Sequence, residues 1–141
     1  MLTFDELVAL AESQGLRVTA FDLGGRGGYL YKGGIVVLNV RHGLPAQRVT
    51  LAHEMGHWFH GHDWTRDDRH KDRDEREADL YAARLLISID DYARAERIAG
   101  SHLGALAQEL GVTRRLVSLR RIGLRAEAAT RPDLFDDYGW A

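Results

Sequence analysis

Every strand signal in this chain lies before residue 41, and almost everything after it carries helical spacing. That division confines the fold to a small sheet beside a helical bundle, an α+β arrangement. Leu7, Leu10 and Ala11 form an apolar stripe over residues 4–14, Thr3 and Glu6 stand at capping-box spacing ahead of it, and Gly15 is a natural C-terminal stop. The period then changes. Residues 16–23, 29–32 and 35–40 read as strands, separated by the turn sequence GGRGG and by Gly33-Gly34, a hairpin signal. A three-stranded antiparallel sheet is the expectation.

Downstream, the spacing predicts a helix over 46–60 that follows Pro45 and stops at Gly61, and another over 73–86. A third covers 88–99, with Ser88 and Asp91 placed as N-cap and N3, and two short ones cover 101–110 and 113–122, broken at Gly111. The charged stretch HDWTRDDRHKDRD reads as a solvated loop or the start of a helix, and the tail RPDLFDDYGWA as mobile or loosely docked.

A chain of 141 residues with 45% apolar and 28% charged residues suits one domain over 1–141. Within it, 1–100 would hold the sheet and the chemistry-bearing helices, and 101–141 a C-terminal helical part and tail. There is no cysteine, which removes disulfides and thiolate metal sites and fits a reducing compartment. A net charge of −2 argues against nucleic acid or a membrane surface as a partner. The N-terminus lacks a basic leader, and no apolar run is long enough to span a bilayer. The expected location is the cytoplasm; nothing in the sequence sets an oligomeric state.

Residues 53–57 read His-Glu-Met-Gly-His. Side chains four apart on a helix lie on one face, so His53 and His57 can offer imidazole nitrogens to one ion. Glu54 is one step round, out of the coordination plane but within reach of a water. A catalytic zinc also needs a third protein ligand and an open position. A metzincin-like pattern would place glycine at 60 and histidine at 63, where the chain has His60 and Asp63. The better source is DEREADLYAARLL. Glu75 and Asp79 share a helix face there, and Ala78, Ala82 and Ala83 would let two helices approach closely. Glu75 is the expected third ligand, and Asp79 the acceptor that fixes a ligand imidazole's tautomer. Glu77, two residues on, faces elsewhere and reads as a solvated glutamate. His60 lies near the ligand face. His42, His62, His70 and His102 read as surface residues. Tyr29, Tyr31, Tyr81 and His70 stand as candidates to stabilise an oxyanion.

The strand GIVVLNV, the helix RVTLAHEMGHWFHGH, the segment EREADLYAARLLIS and the segment LAQELGVTRRLVSLRRIGL occur in an order that resembles the ImmA/IrrE family of zincin metallopeptidases. The resemblance implies a zincin-like fold, His53, His57 and Glu75 as ligands of Zn²⁺ (or Mn²⁺ or another divalent ion in its place), and Glu54 as catalytic base. It also implies an endopeptidase that cleaves one protein partner, usually a helix-turn-helix repressor of a prophage, mobile element or stress regulon. One departure is Ile87-Ser88, where members often carry proline. The length matches a minimal form without an added DNA-binding or sensory domain.

A peptidase holds its substrate extended, so an exposed strand near the metal is expected to do this. Ile35, Val36, Val37, Leu38 and Asn39 are the residues assigned to it. Two other functions compete. Residues 104–122 read like a helix-turn-helix with Arg114, Arg115, Arg120 and Arg121 on a basic helix, although Leu106, Leu110, Leu116, Leu119 and Ile122 read equally as packing. A silent binding module stabilised by its metal is the other.

Overall fold

The computed structural model describes residues 1–62 and 70–139. Among them the chain runs α1 (Phe4–Ser13), β1 (Arg17–Phe21), β2 (Gly28–Tyr31), β3 (Ile35–Asn39), α2 (Leu44–His60), α3 (Lys71–Leu86), α4 (Ile89–Ala99), α5 (Leu103–Leu110) and α6 (Arg114–Thr130). Two 3-10 turns follow, at Pro132–Leu134 and Asp136–Tyr138. This is the expected α+β, zincin-like class. Residues 63–69 of the charged stretch lie outside the described residues, and its last part opens α3.

Local chemistry sets the helix ends. The Thr3 hydroxyl accepts from the Glu6 N–H at 3.1 Å, and Ser88 and Thr113 cap α4 and α6 in the same way. At the end of α2, Gly61 takes the left-handed conformation (φ 64°). Its N–H donates to the Trp58 carbonyl at 3.1 Å, and the His62 N–H to the His57 carbonyl at 3.0 Å, a Schellman turn that folds the chain back over the helix end.

The sheet is mixed, not antiparallel throughout. Its order is β1-β3-β2: β2 and β3 form the antiparallel hairpin through Gly33-Gly34, and β1 runs parallel to β3. The central place goes to the strand that is apolar on both faces. Val36, Val37 and Leu38 are all buried, whereas β1 is largely exposed. The loop over residues 22–27 therefore crosses the end of the sheet, and Asn39 fastens it. The Asn39 amide donates to the carbonyls of Gly24 (2.9 Å) and Arg26 (2.6 Å) and accepts from the N–H groups of Leu23 (3.3 Å) and Arg41 (3.0 Å). A fully buried Asn with four such bonds is satisfied, so it holds the loop without an unpaired group.

Helix α3 packs between α2 and α6, and α1 closes α2 on the sheet side. Leu7, Leu51, Met55, Leu86 and Leu106 join one core with the sheet residues Leu30, Val36 and Leu38. Buried Arg48 gathers chain ends: its Nε–H donates to the Leu2 carbonyl at 2.8 Å, and its terminal nitrogens lie 3.5 Å from the Leu86 and Leu110 carbonyls at the ends of α3 and α5. Helix α6 runs on past the expected stop at 122, because Leu124 is buried and Arg120 pairs with Glu127 at 3.3 Å. The tail docks more firmly than expected. Phe135 is buried in the core, and the Tyr138 hydroxyl bonds to Asp90 on α4.

The contact between α2 and α3 is closest at Gly56. A Cβ there would sit 2.8 Å from the Cα and carbonyl oxygen of Ala78 and 3.1 Å from the Tyr81 Cβ. These are mostly backbone atoms and cannot rotate away. Gly56→Ala gains roughly 1 kcal/mol of helix propensity, but forcing the helices apart costs about 1–3 kcal/mol. The expected result is a lower thermal midpoint for the metal-free variant, read by circular dichroism. A midpoint equal to or above the parent's would mean the helices are not held at this distance.

Candidate active site

Helix α2 places His53 and His57 one turn apart, and the close approach of α3 brings Glu75 to them. The His53 and His57 Nε2 atoms are 3.1 Å apart. Glu75 Oε2 is 2.9 Å from His53 Nε2, and Glu75 Oε1 is 3.2 Å from His57 Nε2. Tetrahedral bonds of zinc length would separate donor atoms by about 3.3 Å. The three donors therefore converge with the spacing of one coordination face, and these residues could hold a divalent ion.

Beside them, Glu54 is 6% exposed, and its Oε2 has no hydrogen-bond partner among the described residues. Burial pushes its carboxyl up to about 7, against the pull of His53 and helped by the charge of Glu75. An orphaned buried oxygen is costly in a finished core, and here it sits beside three converging donors. The arrangement fits a cation with a water to be deprotonated.

Each imidazole is held from behind. His53 Nδ1 is 2.8 Å from Asp79 Oδ1, and the other Asp79 oxygen accepts from Arg115 Nε at 2.6 Å. Burial works against both charges in this pair. The Asp79 hydrogen bond and the nearby carboxylates nevertheless raise the His53 pKa, and the bonds from His53 and Arg115 lower that of Asp79. His57 Nδ1 lies 2.8 Å from His62 Nδ1, and His62 Nε2 is 2.8 Å from Glu77 Oε2 and 3.4 Å from Asp74 Oδ1. Burial, then the neighbouring His53, lowers the His57 pKa. Both ligand candidates are thus turned so that Nε2 faces the Glu75 carboxylate.

The donors open on a cleft of about 560 Å³ lined by β2 at Gly28 and Tyr29, by α2, by α3 and by the start of α6 at Arg115 and Leu116. The strand expected to carry substrate is not on this cleft. Ile35, Val36, Val37, Leu38 and Asn39 form the sheet centre, hydrogen-bonded on both sides and mostly buried, so their backbone has no free edge. Asn39 serves the loop over 22–27 instead. The edge beside the donors is β2. Of the candidate oxyanion groups, Tyr29 lines the cleft. Tyr31 bonds to Tyr29, and Tyr81 packs on Phe59 and meets the Gln14 side chain.

Two residues escaped the sequence reading. His62 is not a surface histidine: its side chain is 6% exposed and lies against His57. The available signal was Gly61, since a Schellman turn returns the residue after the left-handed glycine to the helical residue five positions before it, here His62 to His57. The sequence places Arg115 on a basic helix. It reaches Asp79, while Arg120 donates to the Ile87 carbonyl at 2.7 Å and Arg121 to the Tyr92 hydroxyl at 2.8 Å. Leu106, Leu110, Leu116 and Val117 are buried. Three of the four arginines are engaged within the protein, and the helix-turn-helix-like segment packs as scaffold.

No helix among the described residues is long and apolar enough to cross a membrane. A search of curated proteins finds no match. The model of the Peptidase_M78 family, described as the IrrE N-terminal-like domain, matches residues 11–120 and so spans the sheet, both helices that carry the donors, and the start of α6. With three converging donors, a buried carboxylate beside them and a family match over most of its length, the chain belongs to Peptidase_M78, the ImmA/IrrE group of metallopeptidases.

Proposed function

We propose that this protein is a zinc-dependent endopeptidase of the cytoplasm, with His53, His57 and Glu75 as the metal ligands and Glu54 as the base. The observation that carries it is the trio of donor distances, 2.9 to 3.2 Å, beside the orphaned Glu54 oxygen. A divalent ion held there would polarise the scissile carbonyl and acidify water toward neutral pH. Two nitrogens and one carboxylate do not select strongly for zinc, and manganese would serve in its place.

The chain's own part follows from its geometry. Asp79 and His62 hold the two imidazoles in the orientation a ligand needs. Glu54, poised near neutrality by burial, takes the proton from the attacking water and returns it to the departing amine. An extended peptide would lie along β2, the edge strand beside the donors, through main-chain hydrogen bonds. Such an edge reads side chains weakly, so selectivity would come from docking of a folded partner. By resemblance to the family, that partner is a helix-turn-helix repressor.

Three outcomes test this reading. At one zinc equivalent, Glu75→Ala loses far more metal than Glu77→Ala by elemental analysis; equal retention, or greater loss in Glu77→Ala, would move the third ligand. Glu54→Gln keeps its zinc and its fold, while cleavage of a co-expressed partner falls by about 10²–10⁴-fold. Parental turnover by that variant, with contaminating protease excluded, would remove Glu54 as the base.

The third outcome is a pH dependence. Below the ordinary Glu value of 4.5, Glu54 is protonated whether folded or unfolded, and between there and about 7 only the unfolded chain releases the proton. Folding therefore loses stability as pH rises through this window, by up to about 3 kcal/mol, and the loss is constant above it. Metal-free Glu54→Gln should melt above the metal-free parent at pH 8, with the gap closing toward pH 4.5. A gap that does not change with pH would show that Glu54 is not held protonated by burial.

A further inference from the structure

Behind the inner donors lies a second group of the same composition. His60, His62 and Glu77 place one ligand atom each within 4.8 Å of one another. Glu77 Oε2 is 2.8 Å from His62 Nε2 and 3.6 Å from His60 Nδ1. The two imidazoles are stacked, with planes 11° apart and centroids 5.3 Å apart. Asp74 Oδ1 stands 3.4 Å from His62 Nε2, close enough to add a fourth donor. His60 and Glu77 are each 34% exposed, which leaves a path for an ion. The group also sits at the carbonyl end of α2, where the helix dipole favours positive charge.

We propose that His60, His62 and Glu77 form a second divalent-cation site, suited to zinc, whose filling opposes that of the inner site. Two imidazole nitrogens and a carboxylate are a zinc donor set. The opposition follows from one proton. The Nδ1 atoms of His57 and His62 are 2.8 Å apart, and a hydrogen bond between them contains a single proton. An ion on His57 Nε2 leaves the proton on His57 Nδ1. His62 then accepts at Nδ1 and carries its own proton on Nε2, the atom that faces Glu77. An ion on His62 Nε2 reverses this: His62 donates from Nδ1, His57 accepts, and the His57 proton moves to Nε2, the inner donor atom. Each set of neutral tautomers serves one ion. Filling both sites would leave a proton on each Nδ1, and two N–H donors cannot face each other across 2.8 Å, so the two rings must separate. The outer site stands on its own residues; the opposition rests on the inner site proposed above.

Zinc titration of the metal-free full-length protein against a chelating indicator tests both parts. The parent should bind two ions per chain, the second more weakly. His60→Ala and Glu77→Gln should bind one. His53→Ala, which lacks an inner ligand, should bind its remaining ion on the order of tenfold more tightly than the parent binds its second, a coupling of ordinary size. Partner cleavage by the parent should rise to one equivalent of zinc and fall beyond it, and His60→Ala should abolish the fall. Equal zinc uptake by parent, His60→Ala and Glu77→Gln at every free concentration overturns the outer site. An ion in His53→Ala that binds no more tightly than the parent's second overturns the opposition. A single ion in the parent, kept in His53→Ala and lost in His60→Ala, upholds the outer site and removes the inner reading instead.

Discussion

The approach of α2 to α3 governs the molecule. At Gly56 the second helix presents no side chain, and Ala78 presents only a methyl, so the two backbones touch. The imidazole–carboxylate pairs of the site form across that seam or at its end: His53 and His57 with Glu75, His53 with Asp79, His62 with Glu77. A carboxylate on one helix reaches an imidazole on the next only if the helix axes are close. Because Gly56 lies within the histidine motif itself, the two imidazoles and the glycine that lets α3 approach them are set by one short stretch of chain.

Much of this was legible in the sequence, for a physical reason. Helical spacing converts directly into shared faces, so it pairs His53 with His57 and Glu75 with Asp79, and the small residues Ala78, Ala82 and Ala83 mark the face of α3 that approaches another helix. What spacing cannot convey is strand order. The three segments before residue 41 were recognisable as strands, but whether β3 lies at an edge or between its neighbours depends on how a loop crosses the sheet. That crossing is fixed by Asn39, whose four bonds go to residues far off in sequence or just beyond it. The strand expected at an exposed edge is for this reason the central one, and β2 takes the edge position.

Histidine reading failed in a parallel way. His62 lies five residues after His57, a spacing that on a continuing helix points away from it. The left-handed turn at Gly61 ends the helix and reverses that direction. Isolated polar residues after a helix stop are thus poorly judged by helical geometry. Arg115 illustrates the opposite error, in which a charge counted with its neighbours toward a surface patch is individually engaged by a carboxylate.

That engagement has a consequence for the second half of the chain. Arg115 stands in the first turn of α6, and through Asp79 it bears on the orientation of His53. Helices α5 and α6 are therefore not an appendage that could be exchanged for another pair of helices of similar shape. A graft that filled the same apolar surface but left out a cation at this position would leave Asp79 with one partner instead of two. The imidazole it orients would then answer to a softer restraint, so a chimera with a sound core would still carry a loosened centre.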